Sequence, residues 1–74
     1  MKEIEKAIGL HLKELREAKG LSLREVADRL NCSHASVHCW ETGKRSIYAK
    51  TLSDYCDILG VTLSEFFSKI PGTN

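Results

Sequence analysis

The sequence predicts an all-α fold, with five short helices around one small core. Three observations carry this. Apolar residues recur at spacings of three and four through most of the chain, the period of a helix with one buried face. Two reciprocal capping signals, Ser22-Leu23-Arg24-Glu25 and Thr62-Leu63-Ser64-Glu65, each open such a stretch. Residues that tolerate helix-closing backbone, Gly20, Asn31, Gly43 and Gly60, fall where the periodic stretches end. No segment alternates apolar and polar residues as a half-buried strand does.

The first helix is expected from about Lys2 or Glu3 to Ala18. Ile4, Ile8, Leu12 and Leu15 form its buried stripe, Glu3, Glu5, Lys6, Lys13, Glu14 and Glu17 keep the rest in water, and Gly20 stops it. The second opens at Ser22 and ends near Leu30. Val26, Ala27 and Leu30 share one face, and the small Ala27 suits a close crossing of two helices. Asn31 closes this helix, and Ser33 can cap a third, running from Ser33 to about Glu41 with Val37 and Trp40 inward. Gly43-Lys44-Arg45-Ser46 is a polar, basic loop. A fourth helix spans roughly Ala49 to Leu59 and buries Leu52, Cys56 and Leu59, with either Ser46 or Tyr48 before its start. The fifth follows Thr62 and carries Leu63, Phe66 and Phe67. Residues 1–70 are read as one domain and 71–74 as a frayed tail.

Composition narrows the function. With 74 residues the chain has no room for a deep cleft beside its core and offers no paired catalytic groups, so an enzyme is not expected. Lys and Arg number 11 against 10 Asp and Glu, a net charge of +1, so any basic surface must be local. No apolar run approaches the roughly 18 residues of a membrane span, and the first residues do not open a signal peptide. The three cysteines fit reduced thiols in a cytoplasm better than a disulfide frame. The outward face of the third helix is His34, Ala35, His38 and Cys39. None is a long charged side chain that merely solvates a helix, so the face reads as a contact surface. Zinc favours ligands such as Cys32, His34, His38 and Cys39, but four ligands cannot converge tetrahedrally from one short helix, and no metal or other cofactor is expected. A Cys/His catalytic pair fails on the same geometry.

The segments LKELREAKGLS, LREVADRLNCS, VHCWETGKR and LSDYCDILGVTLSEFF, in that order, resemble the Cro/phage-repressor type of helix-turn-helix protein, the XRE family. The resemblance runs from Leu12 to Phe67. It implies a compact five-helix, lambda-repressor-like DNA-binding domain, with its helix-turn-helix unit at about 22–41. It further implies a homodimeric, sequence-specific transcription regulator, more often a repressor, that inserts the third helix into the major groove of double-stranded DNA. On that reading His34, Ala35, His38 and Cys39 contact bases, while Ser33, Lys44, Arg45, Arg24 and Lys50 contact phosphates. The family's salt bridge between the first helix and the end of the third falls on Arg16 and Glu41. The dimer contact falls on an apolar strip of Ile58, Leu63, Phe67 and Ile70. The cell compartment implied is a prokaryotic cytoplasm, on the nucleoid, with the gene bacterial or phage-borne. Leu23 stands where the family commonly has Gln, Ile47 where it often has Pro, and Asn31 where it often has Gly. Arg, Gln and Asn, the strongest bidentate base readers, are missing from the third helix's face, which predicts modest base discrimination per half-site. The alternative is a protein-interaction module or antitoxin-like adaptor on the same scaffold, favoured by the near-neutral charge and the missing Gln.

Overall fold

A computed structural model describes residues 2–70. Its elements are α1 (Lys2–Ala18), α2 (Leu23–Leu30), α3 (His34–Thr42), α4 (Ala49–Leu59) and α5 (Leu63–Ser68). Both capping boxes form. The Ser22 amide donates to Glu25 Oε1 at 2.8 Å and the Glu25 amide to Ser22 Oγ at 3.0 Å. Thr62 and Glu65 repeat the pair at 2.8 and 3.0 Å. Each box satisfies two amides that helix geometry leaves orphaned. The Glu25 carboxyl stays in water, yet it sits below its ordinary pKa because it accepts from the Ser22 backbone.

α2 closes on Asn31 at φ 58°, the left-handed conformation its short polar side chain tolerates. α3 starts one residue later than the sequence suggests. Ser33 is its N-cap, accepting from the Ser36 amide at 3.2 Å, and helical geometry continues to Thr42. Gly43 ends it at φ +77°, where a Cβ would also lie 2.6 Å from Lys6 Cγ and 3.0 Å from Lys6 Cα. α4 has Tyr48 at its cap position with no side-chain cap bond.

The core draws on every helix: Leu12 of α1, Val26 and Ala27 of α2, Val37 of α3, Leu52, Tyr55, Cys56 and Leu59 of α4, and Phe66 of α5, with Ile70 beyond it. Each large side chain fully withdrawn from water contributes about 1.5–3 kcal/mol. Of the expected α1 stripe only Leu12 is fully buried, while Ile4, Ile8 and Leu15 pack half-buried on the core's edge. α1 crosses α3 at Gly9, where a Cβ would meet Trp40 O at 2.3 Å and Glu41 O at 2.5 Å. Only hydrogen fits there. This close approach sets how tightly α3 lies on α1.

Among the described residues, no helix is long and apolar enough to cross a membrane. The expected tail, 71–74, lies outside the described residues.

Candidate nucleic-acid interface

α3 is held from its inner side by a buried polar network. Arg16 Nε and Nη2 donate to Glu41 Oε2 and Oε1 at 2.7 and 3.0 Å, a two-pronged pair. The remaining prong, Arg16 Nη1, donates to Leu21 O at 2.8 Å. Tyr55 Oη donates to Glu41 Oε2 at 2.6 Å. Arg16 and Glu41 are 7% and 6% exposed, and Tyr55 is wholly buried, so three helices meet on one carboxylate, and Arg16 ties the α1–α2 loop to them through Leu21 O. The hydrogen bond to Glu41 raises the guanidinium's pKa further, and burial followed by that carboxylate pushes the Tyr55 phenol well above its ordinary value. No buried side-chain nitrogen or oxygen among the described residues lacks a partner. The pair expected at Arg16 and Glu41 is therefore present. The sequence alone does not reveal its third member, Tyr55, or the close approach at Gly9.

The other side of α3 faces solvent. His34, Ala35 and His38 are exposed, and Cys39 is half-buried at the edge of the same face. His34 and His38 lie about 40° apart around the axis, and Thr42 continues their row. The Thr42 hydroxyl folds back on its own helix, donating to His38 O at 3.0 Å. Ser33 is exposed, but its Oγ already serves the Ser36 amide and lies 3.0 Å from Ser36 Oγ. At the far end, the Lys44 and Arg45 amides both donate to Cys39 O, at 3.0 and 3.3 Å. That turn fixes two exposed cations at the C-terminal end of α3, where cations also suit the helix dipole.

Arg24 is exposed on the first turn of α2. Leu23 beside it is half-buried against the core, which accounts for an apolar side chain in place of the usual Gln. Lys50 is exposed and pairs with Asp54 at 3.0 Å, an exposed pair of the kind worth only about 0.3–0.5 kcal/mol, so the ammonium is free to exchange partners. Cys32 is half-buried, and burial raises its thiol pKa. Among the described residues, no group of three or more His, Cys, Asp or Glu side chains is arranged to hold a metal ion.

The strip expected to join two copies is only partly offered. Leu63 is 39% exposed, and Ile58 and Phe67 are half-buried. Ile70 corrects the expectation: it is 4% exposed and belongs to the core. α5 stops at Ser68 and the chain then turns, with the Ile70 amide donating to Phe67 O at 3.1 Å, so the helical phase does not carry the side chain outward. Leu10 on α1, 54% exposed, is an apolar side chain on the surface that lies outside the expected strip.

The sequence matches the family described as Helix-turn-helix domain over residues 7–66. The chain belongs to that family. It is an XRE-type helix-turn-helix protein, and its fold is that of helix-turn-helix DNA-binding regulators. Solved structures of similar fold include the clp gene regulator ClgR from Corynebacterium glutamicum, with a TM-score of 0.83 at 26% identity over 86% of this chain and 68% of that one. The restriction-modification controller protein C.AhdI from Aeromonas hydrophila gives 0.82 at 28% identity over 88% of this chain and 98% of that one. An HTH_3 family transcriptional regulator from Vibrio cholerae gives 0.77 at 33% identity over 86% of this chain and 36% of that one. No curated protein sequence matches the chain. Within the matched residues of this helix-turn-helix protein, α2 and α3 are two short helices joined by the Asn31–Ser33 turn.

Proposed function

We propose that the protein is a dimeric, sequence-specific regulator of transcription, acting as a repressor by laying α3 in the major groove of an operator. The observation that carries this is the two-sided character of α3. Its inner side is locked by Arg16, Glu41 and Tyr55, while its outer side presents His34, Ala35, His38 and Cys39 with no internal task for the first three. A helix held so firmly, with small and hydrogen-bonding groups outward, is suited to meet base edges. The regulators ClgR and C.AhdI share the scaffold.

In this reading Lys44, Arg45, Arg24 and Lys50 grip phosphates with Ser33, and the imidazoles and the Ala35 methyl read bases. Ile58, Leu63 and Phe67 join two copies. The dimer sets the two α3 helices about 34 Å apart, one turn of DNA. Acting on DNA places the protein on the nucleoid of a prokaryotic cytoplasm.

The test is selection of bound duplexes from a randomised pool, followed by chemical-shift mapping with the selected duplex and light scattering of the free protein. A two-half-site consensus, shifts centred on α3 and the Lys44–Arg45 turn, and a dimer mass are expected. Shifts confined to another surface would refute the docking, and a protein that stays monomeric at high micromolar concentration would refute the dimer.

A further inference from the structure

The reading face lacks the usual base readers. Between Ser33 and Thr42 there is no Arg, Lys, Asn or Gln. Its longest hydrogen-bonding side chains are His34 and His38, both exposed, one helical turn apart and therefore separated by about 6 Å along the axis. Among the described residues neither ring has a hydrogen-bond or ion-pair partner. The third histidine differs. His11 lies 4.8 Å from the Phe66 ring and 3.9 Å from the Glu14 carboxylate.

The elements packed against α3 bring no ion pair to these rings. Arg16 of α1 is committed to Glu41, and Glu5 of α1 accepts from the Ser46 hydroxyl. Glu25 of α2 is committed to its capping box, while Arg24, Asp28 and Arg29 are exposed and form no ion pair with either ring. Lys44 and Arg45 stand at the C-terminal end, and the Cys32 and Cys39 thiols are the remaining titratable groups of the unit.

We infer that His34 and His38 read guanine as imidazolium cations, so that operator binding takes up protons. This rests on the proposed DNA-binding function. The chemistry favours guanine because its major-groove edge presents two acceptors, N7 and O6, whereas adenine pairs an acceptor with the N6 donor. An imidazolium carries two donors and no acceptor, and it gains further from the surrounding phosphates. A neutral ring, with one donor and one acceptor, does not discriminate in this way. A spacing of about 6 Å is close to two base steps of about 3.4 Å, so the guanines should lie about two base pairs apart in each half-site.

The sign follows from linkage. A duplex that binds the charged rings more tightly than the neutral ones gains affinity as pH falls through the range where the rings take up protons, and the gain levels off once they are charged in the free protein too. The steepest slope is about one decade per pH unit for each ring that takes up a proton.

The experiment selects duplexes from a randomised pool at about pH 6 and about pH 7.5, then measures Kd of the chosen duplex by fluorescence anisotropy across that window at fixed salt, below the range where thiols ordinarily ionise. About tenfold tighter binding at the lower pH and a guanine-rich consensus that sharpens there are expected. His34→Gln/His38→Gln should flatten the profile, His11→Gln should preserve it, and circular dichroism should show all variants folded. A Kd unchanged with pH, a slope that survives the double variant, or a consensus without guanine overturns the inference while the DNA-binding reading stands. If no duplex is bound at either pH, both fail.

Discussion

Gly9→Ala sets two effects against each other. In an ordinary helix interior, replacing Gly by Ala stabilises by about 0.8–1.0 kcal/mol. Here the new methyl would lie 2.3 Å from Trp40 O and 2.5 Å from Glu41 O. A relaxed carbon–oxygen approach needs about 3.3 Å, so α1 and α3 must part by roughly 1 Å. Both obstacles are backbone carbonyls of a helix, which cannot turn aside as a side chain would. Overpacking of this kind costs about 1–3 kcal/mol, and rigid neighbours put it near the top of that range. The shift would also stretch the Arg16–Glu41 bonds, now 2.7 and 3.0 Å. The clash wins, and the net loss should be about 2 kcal/mol. A domain of this length has a total of about 4–11 kcal/mol, so Tm should fall by roughly 8 °C or more. Urea and thermal unfolding followed by circular dichroism give the answer directly. An unchanged or raised Tm would show that the helices have slack at this crossing and that the geometry does not fix α3.

The network should show a graded response in the same unfolding assay. Glu41→Ala leaves a buried guanidinium without its carboxylate and should cost about 3–5 kcal/mol, whereas Tyr55→Phe removes one bond to a charged acceptor and should cost about 1.5 kcal/mol. Equal losses would mean the phenol, not the ion pair, holds the joint. Lys44→Ala or Arg45→Ala should leave stability within about 0.5 kcal/mol of wild type. Each should weaken binding to all duplexes alike and reduce the salt slope by about 0.9 for each phosphate no longer neutralised. Weakening confined to one sequence would identify a base reader instead. Burial pushes the Cys56 thiol from 9.0 up to about 11, and the Tyr55 phenol is raised too. The unfolded chain then releases these protons first, so the contribution of these two groups to stability should be constant below about pH 9 and fall as pH rises towards 11. Cys56→Ala should lessen that fall.

Local chemistry is the most legible part of the chain. Ser22 with Glu25 and Thr62 with Glu65 specify helix starts through hydrogen bonds only three residues long, and both boxes form. Long-range geometry is less legible. Tyr55 sits at a core spacing, and the apolar period hides its hydroxyl. The available signal is that a buried Tyr, unlike Phe, needs a partner for its oxygen. Gly9 leaves a similar trace, since an isolated glycine inside a helical pattern points to a packing reason. Ile70 defeats the expectation because helical phase does not extend past Ser68, where the helix ends. The outward face of α3 is readable because Val37 and Trp40 fix which side turns in.

The division of labour along α3 has a consequence for how specificity is set. Val37 is wholly buried and Glu41 nearly so, and changing either disturbs the packing that holds the helix. His34, Ala35 and His38 are exposed and support no other side chain, so substitutions there should change stability by no more than about 0.5 kcal/mol. If α3 docks as proposed, affinity for one operator over another can therefore move by the roughly 1–3 kcal/mol of a base pairing while the fold remains intact. With a net charge of +1 the protein has little general attraction for DNA to mask such differences. On the proposed docking of α3, discrimination must then come from the few groups on this face, counted twice if two copies bind, and that is where a change of target sequence would be written.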